Sequence, residues 1–228
     1  MLDSKPSSGI SCREGRNPGE SEAGPALKPS SSLRCLIGGN PAGATRFVAS
    51  YLTFCGYPTS HEAFYCADGK LLRNPGTGKI GARLFRPITD NDQPLAECSY
   101  TVGEWMNHPD VIHLPVICIL RNPLAVLNSL MRVAVAHSGL IDPNQIMKEI
   151  LSRWERLLAR CGEVSVFRVE FDLERLVRSC CAALELRCSK VIPAHVHNEG
   201  RCNFRWEDFG GYPECERFRE FAERFDYV

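Results

Sequence analysis

Residues 114–123 read Leu-Pro-Val-Ile-Cys-Ile-Leu-Arg-Asn-Pro (LPVICILRNP), and this stretch decides the fold class. Its first seven residues form a continuous apolar run with β-branched side chains, the pattern of a strand buried on both faces of a parallel sheet. Asn122 is a favourable helix N-cap, and Pro123 suits the first helical position. The stretch therefore predicts a central strand that leads directly into a helix.

Strand and helix patterns alternate on both sides of this unit. Apolar spacing and end signals predict strands at 33–37, 57–61 and 164–169, and helices at 45–55, 99–107, 142–162, from 172 onward and at 213–225. Glycine and proline are frequent in the segment 66–98, which is predicted to be mostly loop with one strand near 82–88. The alternation predicts a three-layer α/β fold with a central parallel sheet and no internal repeat.

The composition is that of a globular chain without an overall charge. The chain has 228 residues, 44% of them hydrophobic, and its 27 basic side chains balance 27 acidic ones. A net charge of zero gives no general attraction to nucleic acid or to an acidic membrane. Any anion-binding site must therefore be local.

Residues 1–32 differ in composition from the rest of the chain. They are rich in Ser, Pro, Gly and Glu and contain almost no large apolar side chains, so they predict a disordered leader before one domain at 33–228. The leader lacks the apolar stretch of a secretory signal, and no later run reaches the 18 apolar residues of a membrane span. We expect a cytoplasmic chain with neither a membrane nor a nucleic acid as partner.

Twelve cysteines are a high count, for which disulfides or a metal site are the functional alternatives. No CxxC pair occurs, and several cysteines lie inside apolar segments, so we interpret them as reduced thiols that act as small buried hydrophobes. One cluster resembles a metal site, but its spacing fits no standard zinc module: Cys188, His195, His197 and Cys202. The sequence predicts no metal.

A glycine-rich turn, Gly38-Gly-Asn-Pro-Ala-Gly-Ala-Thr45, lies between the first predicted strand and the first predicted helix. Backbone amides and the positive helix end converge on an anion at such a junction. The spacing is that of GxxxxGK[ST], with Ala44 in place of the lysine. A tight turn without a ligand is the alternative. The candidate phosphate-binding residues are Gly39, Asn40, Pro41, Ala42, Gly43, Ala44 and Thr45.

A second strand-to-helix junction carries Arg121 at the end of the buried strand and Ser129 eight residues later. Ligands of open α/β sheets collect at the carboxyl ends of strands, where an arginine offers several donors to a phosphate. Ser129 falls on the same helix face as Asn122 and Ala125, near that edge. The alternative is an arginine paired with a carboxylate and a serine on an ordinary helix surface.

The segment from Arg121 to Ser129 (RNPLAVLNS) resembles the RxPxxxxxS motif by which sulfotransferases hold the 3′-phosphate of 3′-phosphoadenosine 5′-phosphosulfate. The glycine-rich turn stands where that family has its loop for the 5′-phosphosulfate, and residues 47–62 look like the helix, glycine and acidic residue that follow. The resemblance covers most of residues 33–210. It implies a P-loop NTPase-like fold and transfer of a sulfuryl group, without a metal, to a hydroxyl or amine of a small molecule or carbohydrate.

The first loop departs from the family pattern. Members usually carry Lys or Arg followed by Ser, Gly and Thr, whereas this chain has Pro-Ala-Gly-Ala-Thr at 41–45. Arg46 could replace the missing cation if its side chain turns toward the ligand; otherwise it faces solvent. Two alternatives therefore stay open, a catalytically silent relative that binds the nucleotide and a degenerate P-loop kinase.

Sulfuryl transfer needs a base for the proton of the acceptor. Glu62 stands where some bacterial members of the family have a catalytic glutamate, and the neighbouring His61 is the alternative base. Because adjacent strand residues point in opposite directions, we expect only one of them to face the site. Glu62 could instead be the structural partner of an arginine. Tyr100 and Trp105 could form an apolar wall for the acceptor or belong to the core.

Overall fold

The computed structural model describes residues 33–73, 94–138, 142–161, 165–183 and 204–227. Three predictions concern segments outside these described residues: the leader at 1–32, the strand near 82–88, and the interpretation of the Cys188 to Cys202 cluster. In the described ranges, no helix has both the length and the hydropathy that a membrane crossing requires.

Five short strands form the central sheet: β1 (Cys35–Gly38), β2 (Thr59–His61), β5 (Ala96–Ser99), β6 (Val116–Leu120) and β7 (Val166–Arg168). Two more strands, β3 (Phe64–Ala67) and β4 (Lys70–Arg73), form a separate antiparallel hairpin. The order in the central sheet is β2-β5-β1-β6-β7, and every neighbouring pair is parallel. All five carboxyl ends therefore lie along one edge.

Helices cover both faces of this sheet: α1 (Thr45–Phe54), α2 (Val102–Trp105), α3 (Pro123–Ser138), α4 (Pro143–Cys161), α5 (Leu173–Ala183) and α6 (Cys215–Arg224). One core lies between the sheet and α1 with α5, and the other lies between the sheet and α2, α3, α4 and α6. Alternate residues of β6 enter the two cores, because strand side chains point to opposite faces. The predicted three-layer α/β fold with a central parallel sheet is confirmed.

The prediction for residues 66–98 was partly wrong. The β3–β4 hairpin turns at Asp68 and Gly69, both at positive φ, as an Asp-Gly hairpin turn requires. Strand β5 lies between β2 and β1 in the sheet, yet its sequence, AECS, is short and has a glutamate in place of an apolar run. The predicted helix at 99–107 was too long, since α2 has a single turn.

Candidate functional site at the carboxyl edge of the sheet

The loop from Gly39 to Ala44 joins β1 to α1 in a tightly wound conformation. Gly43 donates its N–H to the carbonyl of Asn40 over 2.8 Å. A Cβ at Gly43 would lie 2.5 Å from that same oxygen, so only glycine fits. Ala42 and Ala44 have φ of 57° and 67°, in the left-handed region. Such strain costs about 1 kcal/mol or more per residue and is concentrated in proteins at functional sites.

The loop is fixed to the layers beneath it. Asn40 is fully buried, and its Nδ2 donates to the carbonyl of Ile150 on α4 over 3.1 Å. A Cβ at Gly39 would lie 2.9 Å from Cγ1 of Ile119 on β6. The loop therefore rests between β6 and α4, which gives its outer surface a defined shape.

The predicted cradle residues differ in exposure. Gly39, Asn40, Gly43 and Thr45 are buried, Pro41 and Ala44 are half-buried, and Ala42 and Arg46 are exposed. Helix α1 begins at Thr45 without a side-chain cap and without an acidic residue in its first turn. The positive end of its dipole and its first N–H groups are thus directed at the same edge as the loop.

Arg121 connects the two junctions. Its guanidinium is buried, and Nη1 donates to the carbonyl of Ala42, 2.6 Å away in the glycine-rich loop. The sequence placed both groups at strand ends, and the adjacency of β1 and β6 brings them into contact. The structure thus brings together the two segments that the resemblance assigns to opposite ends of one nucleotide.

Ser129 lies on α3, facing back toward the start of the helix. Asn122 caps this helix as predicted, since its Oδ1 accepts from the N–H of Ala125 over 3.3 Å. The hydroxyl of Ser129 donates to the carbonyl of Ala125 over 2.9 Å. Its single proton is thereby engaged, so donating to a phosphate would require rotation of the hydroxyl away from Ala125.

Sequence reasoning missed two residues, Glu170 and Tyr227, that hold the backbone on either side of Arg121. The N–H of Asn122 donates to Oε1 of Glu170 over 3.0 Å. Tyr227 donates to Oε2 of Glu170 over 2.8 Å, and its hydroxyl lies 3.2 Å from the carbonyl of Leu120. The residues on both sides of Arg121 are therefore tied to the segment that follows α6.

His61 and Glu62 lie together beside the loop, at the end of β2. The Nε2 of His61 is 3.1 Å from the hydroxyl of Thr45 and 3.6 Å from Oε1 of Glu62. The expectation that only one of the two would face the site was based on strand alternation. The alternation does not extend to Glu62, because Glu62 lies beyond the strand, with φ of 55°.

Burial sets the protonation states of this pair. Burial, together with the positive charge of Arg46, lowers the pKa of His61 to about 4. Burial raises the pKa of Glu62, and Arg46 opposes that rise. His61 is therefore neutral at pH 7, and its contact with Glu62 is not an ion pair there. Arg46 is exposed, but it lies close enough to act on both groups.

Glu97, in the middle of β5, is a second carboxyl group that the sequence did not single out. It is fully buried and accepts from the hydroxyl of Ser60 over 2.5 Å and from the N–H of Ala63 over 3.0 Å. Burial raises its pKa to about 7, and these hydrogen bonds oppose the rise. Because Ser60 and Ala63 flank Glu62 on both sides, Glu97 holds the turn that carries it.

The described part of the chain contains no group of three or more His, Cys, Asp or Glu side chains arranged to hold a metal ion. The cysteines whose side chains are described are thiols, and most of them are buried. One of them belongs to the site, since Cys98 donates from Sγ to the carbonyl of Thr45 over 3.2 Å.

Comparisons with known proteins include a likeness to a solved structure. No family model matches the chain, and no curated protein matches it. Among solved structures, the chain is similar to a sulfotransferase from Alicyclobacillus acidocaldarius, with 19% sequence identity and a TM-score of 0.43. The likeness covers 73% of this chain and 87% of that one.

Proposed function

We propose that this chain is a sulfotransferase that moves a sulfuryl group from 3′-phosphoadenosine 5′-phosphosulfate to a hydroxyl or amine. The observation that carries the proposal is the hydrogen bond from Arg121 to Ala42, which brings the RxPxxxxxS segment against the glycine-rich loop. A nucleotide with phosphates at both its 3′ and 5′ positions needs two anion sites side by side. Because this contact places the two junctions next to each other, a single ligand can reach both.

The residues divide between the two ends of the donor. The N–H groups of Gly43, Ala44 and Thr45, at the positive end of α1, suit the 5′-phosphate. Arg121 and Ser129 suit the 3′-phosphate, since a guanidinium binds phosphate oxygens through parallel N–H donors. The donor supplies the activated sulfuryl group, and the chain's part is to orient it and to handle the proton.

Glu62 is the better candidate base of the two neighbours. A carboxylate whose pKa is raised by burial holds a proton more readily at neutral pH, whereas burial makes His61 a weaker base. In the proposed reaction the acceptor oxygen or nitrogen forms a bond to sulfur, and its proton goes to Glu62. The bond from sulfur to the bridging oxygen breaks, and adenosine 3′,5′-bisphosphate leaves.

Calorimetric titration with adenosine 3′,5′-bisphosphate tests the proposal. The chain should bind it saturably without a metal, and Arg121→Ala should weaken binding by about tenfold or more, as the loss of a charge-assisted hydrogen bond does. Arg132→Ala is the matched control, because Arg132 is an exposed arginine on α3, the helix that follows Arg121. Absence of binding to the unmodified chain, or a preference for magnesium-ATP as in a kinase, would contradict the proposal.

A catalytically silent nucleotide-binding protein is the second candidate. It is favoured by one specific observation: the loop reads Pro-Ala-Gly-Ala-Thr at 41–45, where a sulfotransferase loop has Lys or Arg followed by Ser, Gly and Thr, so the cation for the leaving group is missing from the loop. Binding of the bisphosphate with no sulfate transfer to a broad panel of alcohols, sugars and amines would support this candidate. Turnover that is lost in Glu62→Gln would exclude it.

A further inference from the structure

Arg153, on α4, carries a buried donor without a partner. Its Nη1 is buried and has no hydrogen-bond partner among the described residues. Its guanidinium instead lies 5.8 Å from the centroid of the Tyr100 ring. A buried guanidinium N–H without an acceptor costs free energy, so a partner for it would be favourable.

The position of Tyr100 places this guanidinium at the edge where the loop begins. Tyr100 directly follows Ser99, the last residue of β5, and Ser99 is paired in register with Gly38 of β1. Tyr100 and Gly39 therefore leave neighbouring strands at the same level, about 5 Å apart in the sheet.

Helix α4 also contacts the loop directly. The carbonyl of Ile150 accepts from Nδ2 of Asn40, and Arg153 lies three residues further along the helix, a rise of about 4.5 Å. The other side-chain atom of Asn40, Oδ1, is buried and has no hydrogen-bond partner in the described part of the chain. The corner between α4, Tyr100 and the loop thus holds one unmatched donor and one unmatched acceptor.

The charges around the loop are unevenly distributed. Ala44 gives the loop itself no cation, and Arg46 acts on His61 and Glu62 at the β2 side of the edge. Arg153 belongs to α4 in the opposite layer, and its guanidinium lies beside Tyr100, the residue that follows β5. An arginine held against an aromatic ring is restrained in position while its N–H groups stay available in the plane of the guanidinium, an arrangement suited to phosphate or sulfate oxygens.

We propose that Arg153, supported by Tyr100, binds the anionic 5′ end of the nucleotide in place of the cation that the loop lacks. This inference rests on the proposed function, because it assigns one more residue to the same donor. It makes Arg153 a binding residue for phosphate or phosphosulfate oxygens, separate from the Arg121 site for the 3′-phosphate.

Two nucleotides distinguish the ends of the donor. Adenosine 3′,5′-bisphosphate carries both phosphates, and adenosine 3′-monophosphate lacks the one that Arg153 would bind. Calorimetry with Arg153→Gln should show at least about tenfold weaker binding of the bisphosphate and an unchanged affinity for the monophosphate. Arg156→Gln, on an exposed arginine of the same helix, should change neither affinity.

Two further variants distinguish a loss of nucleotide binding from a loss of the fold. Arg153→Lys keeps the charge and should retain part of the bisphosphate affinity, while Tyr100→Leu removes the ring and should weaken bisphosphate binding selectively. Thermal unfolding of each variant shows whether the fold is intact before the affinities are compared.

The outcomes separate this inference from the proposed function. Bisphosphate binding that depends on Arg121 but not on Arg153 would leave the function standing and overturn the inference. Equal loss of both nucleotides in Arg153→Gln, or an effect only on the KM of an acceptor, would also overturn it. No binding of either nucleotide to the unmodified chain would overturn both.

Discussion

Nη1 of Arg121 donates a hydrogen bond to the carbonyl oxygen of Ala42 over 2.6 Å, across 79 positions of sequence. The contact exists because β1 and β6 are neighbours in the sheet and both end at the same edge. Ala42 accepts it from a left-handed backbone conformation. The shape of the loop and the position of the arginine therefore depend on each other.

Replacing Gly43 should disturb the loop. In Gly43→Ala the added Cβ would overlap the backbone oxygen and nitrogen of Asn40, which lie 2.5 and 2.9 Å from its ideal position. We expect a loss of about 1–3 kcal/mol in the free energy of unfolding, measured by urea denaturation, together with weaker bisphosphate binding. Gly211→Ala is the control, since a Cβ there meets nothing within 4 Å. Equal urea midpoints for the two variants would refute this account of the loop.

The turn beyond β2 should respond to pH through Glu97. The pKa of Glu97 is raised in the folded chain to about 7, above its ordinary value of 4.5. Between pH 4.5 and pH 7 the folded chain therefore binds more protons than the unfolded chain. The contribution of protonated Glu97 to the free energy of unfolding is fully present below pH 4.5 and is lost as pH rises toward 7. The loss is on the order of 3 kcal/mol at most.

Glu97→Gln should flatten this part of the stability profile, because the amide does not titrate. Urea denaturation from about pH 4.5 to about pH 8 gives the profile of each protein. Glu104→Gln, at an exposed glutamate on α2, is the control and should follow the unmodified chain. If the Glu97→Gln variant kept the same slope as the unmodified chain, Glu97 would have to ionise normally.

Substitution of Glu62 and His61 should affect turnover unequally. Under the proposed function, Glu62→Gln removes the base and should lower kcat by about 100-fold or more. His61→Asn should cost less, because His61 has a pKa of about 4 and is neutral throughout the working range. The pH profile of kcat/KM should rise through the pKa of Glu62, which lies above its ordinary value.

A release assay for adenosine 3′,5′-bisphosphate measures these rates once an acceptor is known. Should His61→Asn abolish turnover while Glu62→Gln retains it, the two roles would have to be exchanged. Bisphosphate affinity, measured for both variants, separates an effect on chemistry from an effect on the loop that His61 contacts through Thr45.

Tyr227 should influence nucleotide binding from outside the site. Tyr227→Phe removes the hydroxyl that donates to Glu170 and lies against the carbonyl of Leu120, on both sides of Arg121. We expect a loss of about 1–2 kcal/mol in stability and a several-fold weaker bisphosphate affinity. Tyr212→Phe changes an exposed tyrosine and should alter neither quantity. If Tyr227→Phe bound the bisphosphate as the unmodified chain does, the role of Tyr227 would be purely structural.

Much of the fold could be predicted because its signals are local. The apolar run at 114–120 (which contains β6), the Asn122 cap and the periodic stripe of α4 each depend on neighbouring residues, and each was found where expected. Strand β5 was missed because it lacks such a local signal. Its burial comes from β1 and β2 on either side, and its four residues carry no local pattern of their own.

The candidate site was predictable only in parts. The sequence by itself determined that Gly43 stands in a tight turn, that Arg121 ends a buried strand, and that His61 and Glu62 lie at the end of another strand. Only the tertiary structure decided that Arg121 touches Ala42, that Glu97 supports the Glu62 turn, and that Arg153 lies beside Tyr100. The physical reason is the sheet order, since insertion of β5 between β2 and β1 and the packing of α4 create contacts that no short sequence pattern encodes.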